Sequence, residues 1–216
     1  MSKTQIVIFL LSFCFCLKSR GQIATPQIVN YNSDEYKAGI QNWDLAQDRS
    51  GRIYFGNNEG LLSFNGQFWD LYRLPNLTSV RSIEIDRNNR IFVGGQDEVG
   101  YFFPNENGDL KYHSLTKLIP QKYRKFADVW NICILNNDVF FRATNIILHY
   151  KDGVIKSYEP EIGWEFAGEG NGMLFAQSRQ RGLKYYDDGI WKPYCNDPVL
   201  SNSAITSIAP YKNDTL

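Results

Sequence analysis

The chain has 216 residues, the length of one domain or of a piece of a larger one, and its 23 basic side chains balance 23 acidic ones. A neutral chain lacks the basic face that neutralises phosphates, which argues against nucleic-acid binding, and two histidines with four scattered cysteines leave little for a metal site. Phe, Tyr and Trp supply 15% of the residues, a composition that suits pleated, half-buried strands better than a helical bundle.

Residues 1–21 read as a secretory signal peptide. Lys3 is followed by an apolar run from Ile6 to Leu17 and a polar exit ending in Gly21, with Ser19 and Gly21 as the small residues of a cleavage site. A bilayer span needs about 20 apolar residues, and this run is shorter. Removing Lys3, Lys18 and Arg20 leaves a mildly acidic, exported chain with Cys133 and Cys195 as its only cysteines. Cys133, in the alternating run Asn131-Ile132-Cys133-Ile134, is expected as a buried free thiol, and whether it pairs with Cys195 stays open.

Next comes an N-terminal segment, residues 22–41, in which Gln27-Ile28-Val29-Asn30-Tyr31 has the pattern of a strand. Internal repetition then dominates. Residues 43–56 align without a gap onto residues 81–94, at an offset of 38. Both contain a strand, a polar turn (Asp48-Arg49-Ser50-Gly51 or Asp86-Arg87-Asn88-Asn89) and a second strand. Val139 and Met173, after Asn136-Asn137-Asp138 and Gly170-Asn171-Gly172, anchor two more divergent copies. Each copy continues into a hairpin with Asn65-Gly66, Asp152-Gly153 or Asp188-Gly189 at its tip. Four short strands per unit at this period are the pattern of propeller blades. Blades are expected to begin near Trp43, Arg81, Trp130 and Trp164, with residues 114–128 as an inserted loop containing about one helical turn. A fifth blade is expected to start at Ala204-Ile205-Thr206-Ser207-Ile208 and to turn at Asn213-Asp214. The expectation is an all-β, partial β-propeller over residues 42–216: four complete blades and the start of a fifth within a larger ring. The strand at residues 27–31 would close that ring as an outer strand.

The segment Asp48 to Gly56 with Asn58-Glu59-Gly60-Leu61-Leu62 behind it, and Asn42-Trp43-Asp44-Leu45-Ala46-Gln47 before it, resembles the two-component-regulator propeller repeat of Gram-negative bacteria. The resemblance spans residues 27–216 and is closest in the first two blades; in the third and fourth, Arg142 and Ala176 stand where Gly56 and Gly94 stand. It implies an extracytoplasmic sensor, often of glycan fragments. In that family the propeller precedes a triple-tyrosine immunoglobulin-like module, one membrane span, and a histidine kinase or helix-turn-helix regulator.

Propeller geometry nominates a binding face where innermost strands begin and second-to-third-strand loops turn. At strand entries stand Trp43, Arg81, Trp130 and Trp164, aromatic faces and a guanidinium suited to a sugar. The alternative is that these indoles pack between blades. The loops add Asn58, Glu59, Gln96, Asp97, Arg179 and Arg181, either hydrogen-bonding groups for a ligand or a solvated rim. No catalytic residue and no cofactor is expected: His113 and His149 lack a recognisable catalytic setting, and both read as structural. The expected function is ligand sensing, with a small molecule or oligosaccharide and the rest of the same polypeptide as partners. The alternatives are a secreted polysaccharide lyase or glycosidase, and an envelope scaffold that binds another protein.

Overall fold

The computed structural model describes residues 28–195, 197–209 and 211. The signal peptide and the turn at Asn213-Asp214 lie outside them. Sixteen strands form four antiparallel sheets, each a simple meander. Blade I holds β1 (Asn42–Gln47), β2 (Ile53–Asn57), β3 (Gly60–Phe64) and β4 (Trp69–Tyr72). Blade II holds β5 (Val80–Ile85), β6 (Ile91–Gly95), β7 (Val99–Pro104) and β8 (Leu110–Ser114). Blade III holds β9 (Val129–Leu135), β10 (Asp138–Ala143), β11 (Ile147–Lys151) and β12 (Val154–Tyr158). Blade IV holds β13 (Trp164–Gly170), β14 (Met173–Ser178), β15 (Leu183–Asp187) and β16 (Ile190–Pro193). The first strands pack in succession, β1 on β5, β5 on β9 and β9 on β13. This is the partial propeller that the repeats foretell.

The two best-matched turns close in the same way. Asp48 Oδ1 accepts from the backbone amides of Ser50 and Arg52, and Asp86 Oδ1 from those of Asn88 and Arg90. The residue completing each turn has positive φ, +89° at Gly51 and +60° at Asn89.

The core is a stack of layers between blades. Along β6, Ile91 and Val93 face blade I while Phe92 faces blade III; along β10, Val139 and Phe141 face blade II while Phe140 faces blade IV. Period-2 alternation therefore fills two different layers, and central strands are buried on both faces. Residues 115–127 are more than an inserted loop. They form two short 3₁₀ turns, Thr116–Leu118 and Gln121–Tyr123, and drive Leu115, Ile119 and Phe126 into the layer between blades II and III.

Several expectations are corrected. Residues 204–209 form no strand; the chain enters them through a short helix, α2 (Pro198–Asn202), capped by Asp197. Residues 28–31 form no strand either. A second short helix, α1 (Ser33–Tyr36), is fixed by a capping box between Asn32 and Glu35. In blade IV the repeat register is one residue later than Met173 suggests. Asp44 pairs with Gly56, Ser82 with Gly94, Asn131 with Arg142, and Phe166 with Gln177. Gln177, not Ala176, is thus the counterpart of Gly56. Its amide donates to the carbonyls of Leu200 and Ser203 and accepts from the amide of Ile205, tying down the segment after blade IV.

Cys133 and Cys195 are free, and burial pushes the Cys133 thiol up to about 12. His149 is sealed between blades III and IV, stacked on Phe140 at 4.2 Å with Nε2 2.9 Å from Asp138 and Nδ1 3.2 Å from the Tyr186 hydroxyl. Burial holds its pKa below the ordinary 6.5, the Asp138 contact opposing. The unfolded chain then binds the proton first as pH falls. This contribution to stability is intact above about pH 6.5 and is lost progressively below it, with a slope of at most about 1.4 kcal/mol per pH unit. Urea midpoints measured from pH 7.5 to 5.5 should fall for the native chain and fall less for His149→Gln; equal slopes would contradict this assignment.

Candidate functional site

Every blade breaks its first ladder at the same place. A one-residue bulge interrupts the β1/β2, β5/β6, β9/β10 and β13/β14 pairings, and the extra residues are Trp43, Arg81, Trp130 and Glu165. A bulge turns its side chain out of the pleat, so four re-aimed side chains sit at the four strand entries. Trp164 is not among them. It occupies the preceding, paired position, equivalent to Asn42, Val80 and Val129. It is 2% exposed, in the layer with Phe140, Ile147 and Leu174, and its indole N–H donates to the Tyr158 carbonyl at 3.1 Å. The packing alternative holds for this tryptophan.

The other three converge. The Arg81 guanidinium carbon lies 3.9 Å from the centre of the Trp43 ring and 5.6 Å from that of Trp130, and the two indoles meet edge to face at 6.1 Å. Both indoles remain partly open, 38% and 40% exposed. Arg81 Nε is 3.3 Å from Asp128 Oδ1, while its buried Nη1 has no hydrogen-bond partner among the described residues. A guanidinium on an aromatic face gains about 0.5–2 kcal/mol as it loses water. The result is an aromatic and cationic ledge.

The loop residues divide. Asn58 belongs to the ledge, since its Oδ1 accepts the Trp43 indole N–H at 2.7 Å. Glu59 pairs with Arg73 at the surface. Asp97 is an anchor for the insert: Oδ1 accepts from the amides of Phe126 and Ala127, and Oδ2 meets Lys125. Gln96 contributes its carbonyl, which accepts from Asn76 Nδ2. Arg179 bridges to Glu165 at 2.8 Å, and Arg181 to Glu161 at 3.0 Å. Sequence reasoning missed Glu165 and Asp128. The acid after Trp164 was a readable sign, because Glu165 there takes the place that the indoles take in blades I and III.

Cavities open near these strands, and two of them bear on the site. One, of about 420 Å³, is lined by residues of blades III and IV and of the 204–206 segment, among them Arg142, Trp164, Glu165 and Arg179. The other, of about 270 Å³, lies between first strands, where burial raises the Glu84 carboxyl above its usual range. Among the described residues no group of three His, Cys, Asp or Glu side chains is gathered to hold a metal ion.

No protein-family model and no curated protein match the chain. Solved structures do. An inactive variant of virginiamycin B lyase from Staphylococcus aureus, crystallised with quinupristin, superposes with a TM-score of 0.66 at 19% identity, over 87% of this chain and 64% of that one. The extracellular domain of a hybrid two-component system from B. thetaiotaomicron matches with a TM-score of 0.55 at 18% identity, over 77% of this chain and 23% of that one. The WD40 β-propeller domain of Doa1 gives 0.51 at 15% identity, over 69% of this chain and 52% of that one. The chain therefore spans less than two thirds of the lyase it matches. At these identities the likeness establishes the β-propeller fold.

Proposed function

We propose that the chain is part of the extracytoplasmic, ligand-sensing propeller of a bacterial signal-transduction regulator, and that it recognises a saccharide on the ledge of Trp43, Arg81 and Trp130. The observation that carries this reading is the ledge itself. Two half-open indoles offer faces for sugar C–H groups, and the Arg81 guanidinium stacked on them sets a cation beside those faces. The repeat resemblance and the likeness to the extracellular domain of a two-component system support it. On this reading the chain is exported by its signal peptide, is not an enzyme, and acts through a membrane-anchored kinase or helix-turn-helix output module.

The lyase likeness is the observation behind the enzymatic alternative. Against it, His149 is committed to Asp138 and Tyr186 in a sealed layer, and His113 lies stacked on Tyr101 at 4.9 Å, an outer-strand contact. Both histidines have structural employment away from the bulge residues.

A glycan array probed with the exported chain tests the proposal. Retention on at least one oligosaccharide is expected, weakened about tenfold or more by Trp130→Ala and by Arg81→Ala with little change in melting temperature. Retention unaffected by both substitutions, or no retention on any saccharide, would overturn it.

A further inference from the structure

The repeat assigns glycine to one position in blades I and II, and arginine to that position in blade III. The glycines are needed where they stand. A Cβ on Gly56 would lie 2.9 Å from the Val80 carbonyl oxygen, and one on Gly94 would lie 2.5 Å from Val129 Cγ1, each on the first strand of the next blade. At the boundary between blades III and IV the corresponding pair is Arg142 and Trp164. A boundary that elsewhere refuses a methyl group here contains a whole guanidinium.

That guanidinium is 7% exposed and has no carboxylate partner among the described residues. Nε and Nη2 both donate to Asn131 Oδ1, at 2.9 and 2.6 Å, and Nη1 makes only a long contact of 3.5 Å to the Trp164 carbonyl. Nη1 and Nη2 each carry a second N–H beyond these. A buried charge without a counter-ion is costly. The neighbour best placed to supply one is an amide: in blade I the residue equivalent to Asn131 is an acid, Asp44, whose Oδ2 accepts from the Ile83 amide. Glu165, on the wall of the same cavity, is taken by Arg179. Arg142 borders the 420 Å³ cavity, whose walls include Trp164, Phe166 and Ile205 together with Thr144. The volume admits a monosaccharide or an aromatic acid, and the apolar part of the wall strengthens a charge-assisted bond made beside it.

We propose that this cavity is a binding site for a small organic acid, whose carboxylate meets the Nη1–Nη2 edge of Arg142. The site stands on Arg142, Asn131 and the cavity, independently of the indole ledge. A carboxylate accepts both outward N–H groups side by side and supplies the charge that Asn131 lacks.

Calorimetric titration of the full chain with D-glucuronate, benzoate and glucose at matched ionic strength tests this. One carboxylate or both should bind saturably, and glucose should not. Binding by both acids means that the carboxylate alone suffices; binding by glucuronate alone identifies an acidic sugar. Asn131→Asp keeps the shape and the three acceptor contacts of Oδ1, to Arg142 Nε, Arg142 Nη2 and the Ala167 amide, while supplying an internal counter-ion. It should raise the melting temperature and weaken the acid about tenfold or more. Arg142→Gln should weaken it equally, and Asn131→Asp decides alone if the Gln variant fails to fold. The proposal is overturned if neither acid binds, if glucose binds as well as glucuronate, or if Asn131→Asp binds the acid as the native chain does. An array that retains a neutral saccharide beside a negative acid titration would reject this site and leave the ledge standing.

Discussion

Trp164→Ala should cost the chain about 3–5 kcal/mol, the range for truncating a buried large aromatic. The indole is almost fully enclosed between blades III and IV, and it meets Trp191 at 5.3 Å between ring centres. Its removal also takes away the indole N–H that donates to the Tyr158 carbonyl. Against a typical total of about 5–15 kcal/mol, that is a large fraction. Urea unfolding followed by far-ultraviolet circular dichroism measures it. Trp43→Ala, on the open ledge, is the comparison and should cost far less. A loss at Trp164 below about 1 kcal/mol would mean that the indole is not seated as described.

Gly94→Ala should cost about 1–3 kcal/mol or more through overpacking. The new Cβ would stand 2.5 and 2.6 Å from Val129 Cγ1 and Cβ and 2.8 Å from Ser82 Oγ. Val129 is fully buried and branched at Cβ, so it cannot swing aside. Gly163→Ala is the control, since its Cβ would find nothing nearer than the Thr144 carbonyl oxygen at 3.6 Å. Thermal unfolding should separate the two. Combining Gly94→Ala with Val129→Ala should restore part of the loss, because the two changes act on one contact. Additive losses would contradict it.

The contrast between these residues marks what sequence can carry. The Asp48 and Asp86 turns were legible because one carboxylate closing a turn onto two amides is a local event with a local signature. The starts of the first strands were legible in all four blades. Trp164 was misjudged because Met173 was matched to Val139, whereas the ladders match it to Asp138, each the first residue after a two-residue hairpin (Leu135 facing Asp138, Gly170 facing Met173). Counting from Met173 then slips the register by one residue, and in a strand one residue exchanges the faces. The insert hid its plug of Leu115, Ile119 and Phe126 because three apolar residues in a polar stretch show no period. Asp97 looked like a rim acid because the amides that it caps come from about 30 residues further along the chain. Arg142 was visible as a departure from glycine, but its lack of a counter-ion belongs to the arrangement of two blades.

The pairing of small with medium at two boundaries, and of large with larger at the third, bears on how such a ring is shuffled by duplication and recombination. Gly56 receives Val80 as Gly94 receives Val129. A crossover that joined blade I directly to blade III would therefore set glycine against valine again, and the seam would close. A crossover joining blade II to blade IV would set Trp164 against a position shaped for valine. It would also separate Trp164 from Arg142, the residue that shares its boundary. At this contact blades I and II present the same seam to the blade that follows, whereas Arg142 and Trp164 key blades III and IV to each other.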